Sequence, residues 1–82
     1  MTIREMRSEI KALNKYLDDN FDYEVKERVI NRKNELFLGK GYETTNLKSA
    51  ARKEEIHDYL ECLIYAFGDC NVSLDDFFYY VD

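Results

Sequence analysis

The sequence predicts an all-α fold, a compact bundle of three main helices followed by a short C-terminal helix. Three observations support this prediction. The chain has no proline, its three glycines lie only at positions 39, 41 and 68, and apolar residues recur at steps of three and four between these positions. A chain of 82 residues can bury one hydrophobic core. We therefore expect residues 1–82 to form a single helical domain.

The first helix has the clearest signals. Thr2 followed by Glu5 is typical of a capping box, which satisfies free backbone N–H groups at a helix start. The polar run 18–20 is expected to interrupt this helix, and Asp22 is expected to cap the next one. The apolar residues that recur on one face, and that we expect in the core, are Ile3, Met6, Ile10, Leu13 and Leu17.

The second helix has an apolar face with two lysines on its edge. We expect Lys26 and Lys33 to bury their stems there and to extend their ammonium groups into solvent. Gly39 and Gly41 are expected to end this helix before a loop over 42–46. A short β-hairpin through 36–42 is the alternative. The apolar face consists of Val25, Val29, Ile30, Leu36 and Phe37.

The third helix is predicted from about Leu47 to Phe67, with a broad apolar arc that suggests a central helix between two neighbours. Gly68 is expected to end it. Ser73, with Asp76 three residues later, predicts a fourth, short helix, and Val72 and Phe77 are placed for a hydrophobic staple at its start. The aromatic run 77–81 leaves a β-strand as the alternative, by propensity. The arc of the third helix consists of Ile56, Tyr59, Leu60, Leu63, Ile64 and Phe67.

The composition excludes a disordered chain and a membrane protein. Hydrophobic residues make up 45% of the chain and charged residues 35%. Over residues 1–7 charged residues alternate with single apolar ones, which predicts neither a signal peptide nor a transmembrane helix. We therefore expect a cytoplasmic protein.

The residue types favour binding over catalysis. The only histidine, His57, lies among charged neighbours, and no serine or cysteine stands in a recognisable nucleophile setting. Cys62 and Cys70, even with His57, fall short of the four ligands of a structural zinc site. We interpret the cysteines as small buried residues, and a disulfide is the alternative that a reducing compartment disfavours. We expect no enzymatic activity, no metal and no cofactor.

Charge is distributed very unevenly along the chain. Residues 1–53 contain all 12 Lys and Arg residues and nine acidic ones, whereas 54–82 contain eight acidic residues and no Lys or Arg. The two parts thus carry +3 and −8, which make up the net charge of −5. The acidic part also holds seven of the 12 aromatic residues. Carboxylates that steer and aromatic rings that supply buried area are one way to bind a basic partner.

The third helix is predicted to carry an acidic stripe, Glu54, Asp58, Glu61 and Tyr65, opposite its apolar arc. Glu54 to Glu61 spans on the order of 10 Å, comparable to one or two phosphate steps of a nucleic-acid strand. The stripe could therefore occupy a groove built for phosphates. An ordinary charged solvent face is the alternative. The lack of any Lys or Arg after Lys53 is the observation that favours a binding role for the stripe. The predicted partner-binding residues are Glu54, Asp58, Glu61, Tyr65, Asp75, Asp76 and Tyr79.

The leading functional hypothesis is a small acidic inhibitor that occupies the basic nucleic-acid-binding surface of a larger protein. In this interpretation the chain mimics nucleic acid and itself binds neither DNA nor a membrane. Proteins of this size and character are frequent among virus-encoded inhibitors of bacterial defence enzymes, anti-CRISPR proteins included, which is an analogy by type.

Two alternatives involve other surfaces. The first is a nucleic-acid-binding or transcriptional regulator that uses the basic region 26–53. The second is a homo-oligomeric assembly protein, such as a homodimer, that pairs through the apolar face of the first helix. A basic flank of that helix, formed by Arg4, Arg7, Lys11 and Lys15, could contact nucleic acid or face the acidic C-terminal part, within the chain or across a dimer. The basic residues of the first alternative are Lys26, Arg28, Arg32, Lys33, Lys40, Lys48, Arg52 and Lys53.

Overall fold

Four α-helices and one 3₁₀ turn make up the computed structural model, which describes residues 1–50 and 52–81 and side chains as far as residue 79. In chain order these are α1 (Ile3–Asn20), α2 (Tyr23–Gly39), the 3₁₀ turn (Leu47–Ser49), α3 (Lys53–Asp69) and α4 (Asp75–Val81). The predicted all-α class and the short C-terminal helix are confirmed. The two β alternatives are wrong, since residues 36–39 belong to α2 and residues 77–81 to α4.

The start of α1 is capped as the sequence predicts. The Thr2 hydroxyl oxygen accepts a hydrogen bond of 3.1 Å from the backbone N–H of Glu5. The polar run 18–20 does not interrupt the helix but forms its last turn, where the Asn20 amide donates to the Tyr16 carbonyl at 2.9 Å. Four of the five predicted core residues are at most 1% exposed, whereas Ile3, in the first turn, is 37% exposed.

The central position predicted for the third helix is confirmed. α3 packs against α2 most extensively and against α1 next, while α1 also contacts α4. Phe77 attaches α4 to this core, since it is 2% exposed and its ring centroid lies 5.4 Å from that of Tyr16. On its other side Tyr16 stacks on Phe67 of α3, with ring centroids 6.5 Å apart.

The third helix begins later than predicted. Residues 47–49 form a separate 3₁₀ turn, which Asn46 caps by accepting the Lys48 N–H at 3.0 Å. Ala50 then takes an extended conformation, with φ −78° and ψ 110°, and is 2% exposed. Because an extended residue breaks the helical hydrogen-bond ladder, α3 starts only at Lys53.

The third helix also ends differently, because it runs through Gly68 to Asp69. Asn71 takes the left-handed conformation, with φ 59°. The Val72 N–H bonds the Phe67 carbonyl at 2.8 Å, and the Asn71 N–H bonds the Gly68 carbonyl at 3.0 Å. These two bonds are a Schellman motif, with asparagine in the place that glycine usually takes.

The fourth helix is capped one residue from the predicted place. The Ser73 hydroxyl oxygen accepts the N–H of Asp75 at 3.2 Å, and no bond to Asp76 is formed. Val72 and Phe77, the pair expected to make a hydrophobic staple, are both buried in the common core.

Lys33 is buried instead of lying on the solvent edge of α2. It is 4% exposed, and its ammonium group donates to the Tyr59 hydroxyl at 2.9 Å and to the Thr45 carbonyl at 3.4 Å. The sequence expectation that this ammonium reaches solvent is wrong, because the loop and α3 supply polar partners inside the fold. Lys26 stays at the surface and pairs with Asp18 at 2.5 Å.

The cysteines are not bonded to each other. Cys62 is 1% exposed and Cys70 is half-buried, and both are free thiols. Burial raises the pKa of the Cys62 thiol, so it is held protonated as a small apolar side chain. None of the helices in the part of the chain that the structure describes combines the length and the apolar character needed to cross a membrane.

Candidate protein-binding surface

The predicted acidic stripe lies on α3, but its members differ in exposure. Glu54 is exposed, and Tyr65 is 59% exposed. The side chains of Asp58 and Glu61 are only 20% and 38% exposed. The stripe is therefore open at its two ends and partly covered in the middle.

Lys40, at the end of α2, covers the middle of the stripe. Its ammonium nitrogen lies 2.8 Å from Glu61 Oε1 and 3.6 Å from Asp58 Oδ1. The acidic part of the sequence has no cation after Lys53, yet the fold brings one from an earlier helix. The argument that these carboxylates lack compensation is therefore wrong for Asp58 and Glu61.

Asp58 has a second partner in Tyr42, whose hydroxyl donates a short hydrogen bond to Asp58 Oδ2. This bond is the main reason that the pKa of the Asp58 carboxyl is lowered, and Lys40 lowers it further. The same bond raises the pKa of the Tyr42 hydroxyl to about 12. Asp58 is thus held as an internal acceptor, and the Tyr42 proton remains in place at neutral pH.

His57, Asp58 and Glu61 are close enough in space to suggest a cation site. Their ligand atoms lie within 4.8 Å of one another, and His57 Nδ1 is 3.7 Å from Asp58 Oδ1. Lys40 already contacts both carboxylates of this group. Because a positive charge occupies the position that a metal ion would take, we interpret the cluster as an internal ion-pair network.

The acidic residues of α4 have different surroundings. Asp75 and Asp76 are exposed, and neither forms an ion pair with any residue in 1–50 or 52–79. Beside them Tyr79 is 92% exposed and Phe78 is 57% exposed. We call these four residues the α4 patch. It combines open carboxylates with exposed aromatic rings, as expected for a surface that binds a basic partner.

Sequence reasoning missed Phe78 as a surface residue. It assigned Phe77 to the buried staple, and on a helix the next residue points about 100° away from it. A helical wheel of α4, drawn as for the acidic stripe of α3, therefore places Phe78 on the exposed side. The seven predicted residues form two groups with different neighbours, since Asp58 and Glu61 contact the end of α2 while α4 packs against α1.

Most of the basic region 26–53 is occupied within the molecule. Lys33 is buried, and Arg32 bonds Asp69 at 2.8 Å and Glu35 at 3.1 Å. Arg52 bonds Glu55 at 2.8 Å. Together with Lys26 and Lys40, which are also paired, five of the eight basic residues are unavailable. The remainder are Arg28, Lys48 and Lys53.

The apolar face of α1 is occupied as well. Met6, Ile10, Leu13 and Leu17 lie in the core of the single chain. They therefore cannot form the helix pair that the homo-oligomer alternative requires unless the fold opens.

Comparisons with protein-family models, with curated proteins and with solved structures found no match to this chain.

Proposed function

We propose that this protein is a small protein-binding inhibitor that engages the basic, nucleic-acid-binding surface of a larger protein. The observation that carries the proposal is the α4 patch, where Asp75 and Asp76 form no ion pair with the described residues and lie beside the exposed rings of Phe78 and Tyr79. No part of this role requires catalysis by the chain.

The two kinds of residue in the patch contribute to binding in different ways. Open carboxylates attract a basic surface over a distance and so raise the association rate. Aromatic rings supply buried area once the surfaces meet, and they slow dissociation. Tyr79 fits this role best, because 92% of it is exposed in the free chain and is available for burial.

The acidic stripe contributes through its open ends in this proposal. Glu54 and Tyr65 are exposed and can extend the contact. Asp58 and Glu61 contribute less, because Lys40 neutralises part of their charge. The centre of the proposed surface is therefore α4.

The size of the chain and its charge suggest the class of protein to which it belongs. A nucleic-acid mimic of this size, acting in the cytoplasm on a bacterial defence enzyme, would be an anti-defence or anti-CRISPR protein encoded by a virus. The proposed partner is a larger protein with a basic surface that handles nucleic acid.

The test starts from the partner captured by affinity pull-down from the native host. Surface plasmon resonance would then compare wild type with the double variant Asp75→Lys plus Asp76→Lys and with Tyr79→Ala. We expect the double variant to bind at least about tenfold more weakly than wild type. The loss should come mainly from a lower association rate, and that rate should depend less on salt. Tyr79→Ala should instead dissociate faster, with little dependence on salt.

The matched control is Glu24→Lys plus Glu27→Lys, which changes the net charge equally on the exposed side of α2. This control should lose much less affinity than the α4 double variant. If the α4 variant is folded and binds as tightly as wild type, the patch is not the binding surface. Equal losses in both double variants would mean that only net charge matters.

A further inference from the structure

Four cations on α1 form a row that has no ion pair with the described residues. Arg4, Arg7, Lys11 and Lys15 are exposed, and none forms an ion pair with the described residues. At 100° per residue they fall within a sector of about 80°, and at 1.5 Å per residue they extend over about 16 Å. We call them the α1 basic stripe.

Most of the other cations have partners among the described residues, and the three exceptions, Arg28, Lys48 and Lys53, lie on three different elements. In region 26–53 four of the cations are held by carboxylates and a fifth is buried. The carboxylate of Asp18, which shares the sector of the stripe, is turned to Lys26 at 2.5 Å. Asp19 follows beyond Lys15, so the positive part of the sector ends there.

The 3₁₀ turn forms one wall beside the stripe. The Arg7 guanidinium donates from Nη2 to the Ala50 carbonyl at 3.3 Å, which ties the stripe to this segment. Leu47 lines a shallow groove together with Arg7, Lys11 and Lys15, and the carboxylates of Asp18 and Asp19 line the same groove beyond Lys15. The residue after Leu47 is Lys48, which is exposed and has no ion pair with the described residues.

We propose that the α1 basic stripe, with Lys48, binds the phosphate backbone of double-stranded nucleic acid. This goes beyond the proposed function, which uses the acidic surfaces and requires no direct contact between the chain and nucleic acid. It also differs from the regulator predicted from region 26–53, since of those residues only Lys48 takes part.

Length and side-chain chemistry favour a duplex as the occupant. A strand carries one phosphate per 3.4 Å of helix axis, so a stripe of about 16 Å lies alongside roughly five phosphates. The groove has no aromatic lining residue, so it offers single strands none of the base stacking on which their binding depends. The contact is therefore to the backbone and independent of sequence.

The acidic surfaces of the chain make this binding weak. At 0.1 M salt the Debye length is about 10 Å, so a docked phosphate interacts mainly with the nearest cations. The net charge of −5 opposes the approach of DNA more strongly as the salt concentration falls. We expect a dissociation constant in the non-specific range, about 10⁻⁴ to 10⁻⁶ M.

The test measures fluorescence anisotropy of a labelled 20-base-pair duplex at about 50 to 200 mM salt, with the purified chain alone. Wild type should bind, and log K should fall linearly with log salt. The double variant Lys11→Gln plus Lys15→Gln should bind at least tenfold more weakly, with a slope shallower by about 1.8, because two phosphate contacts are lost.

The control is Arg28→Glu, which changes the net charge by the same two units at an exposed position of α2. It should leave the salt slope unchanged. Binding that is absent at 50 mM salt, or that both variants weaken equally, would overturn the proposal.

Two further probes separate nucleic acid from other polyanions. Polyglutamate and vesicles of phosphatidylglycerol should bind more weakly than the duplex, and equal binding would show a surface for anions in general and overturn the proposal. The α4 double variant should retain duplex binding, so this result does not depend on the proposed function.

Discussion

α3 and α4 present the same kinds of residue to solvent, yet the fold gives them different roles. Both carry carboxylates and aromatic rings on their outward sides. α3 packs between two helices, and Lys40 and Tyr42 hold its Asp58. α4 packs against α1 and leaves Asp75 and Asp76 without ion pairs to the described residues. Carboxylates of equal charge are thus paired within the fold in the middle of α3 and left open to a partner on α4.

The difference shows that an outward position on a helical wheel does not establish that a side chain is free to bind a partner. Asp58 and Glu54 differ by only 40° on that wheel, but only Asp58 lies within reach of Lys40 and Tyr42. An acidic residue is available to a partner only when neighbouring elements do not neutralise it.

The largest effect is expected from aromatic truncation in α3. Phe67 lies on the inner side of α3 and is fully buried, so Phe67→Ala should lower the free energy of unfolding by about 3 to 5 kcal/mol through cavity formation. Phe78→Ala on α4 removes a ring that is 57% exposed and should cost less than about 1 kcal/mol. Urea denaturation followed by circular dichroism would measure both. Similar losses would contradict the different packing of the two helices.

Charge reversal should separate the two sets of carboxylates. Asp58→Lys removes the acceptor for Tyr42 and places a second ammonium beside Lys40, so we expect a loss of about 2 kcal/mol. The matched change Asp76→Lys, at an exposed position, should stay within about 0.5 kcal/mol of wild type. Denaturant titrations of the two variants give the comparison directly. A neutral Asp58→Lys would mean that the acidic stripe is as open as the α4 patch.

A smaller effect should appear as a dependence on pH. The folded pKa of Tyr42 is about 12, above its ordinary value of 10, so its stabilising contribution is complete below pH 10 and is lost as the pH rises through 12. The pKa of Asp58 is lowered, so its contribution is present above about pH 4 and is lost as the pH falls further.

The measurement compares wild type with Tyr42→Phe, which lacks the hydrogen bond at every pH. The difference in unfolding free energy between them should be constant from about pH 5 to 9. It should shrink between pH 10 and 12, and again below about pH 4. A difference that stays flat up to pH 12 would show that the bond between Tyr42 and Asp58 contributes nothing to folding.

Most of the fold could be predicted because its signals are local. The Thr2 and Asp22 caps accept the Glu5 and Val25 N–H groups, three residues away, and the apolar spacing of α1 predicts its buried face. The end of α3 was harder to predict. Gly68 and Asn71 can both serve near a helix end, and only the bond from the Val72 N–H to the Phe67 carbonyl identifies Asn71 as the left-handed residue.

The sequence could predict which acidic and aromatic residues are candidates to bind a partner, but not which of them the fold leaves open to one. Sequence reasoning named Asp75, Asp76 and Tyr79, which are exposed. It also named Asp58 and Glu61, whose partner Lys40 is 18 and 21 positions away in the chain. Ion pairs between helices depend on how those helices pack, so the charge pattern of one helix cannot reveal them.

The sequence by itself determined the helical class, the starts of α1 and α2 and the uneven distribution of charge. Hydrogen bonds and apolar spacing within a few residues govern the helical class and these starts. Only the tertiary structure decided which charges remain at the surface. It buried Lys33 against Tyr59, and it turned Lys40 to the acidic residues of α3. It left the α1 basic stripe and the carboxylates of the α4 patch without ion pairs, because no other described residue brings an opposite charge within about 4 Å of them, the distance at which ion pairs form.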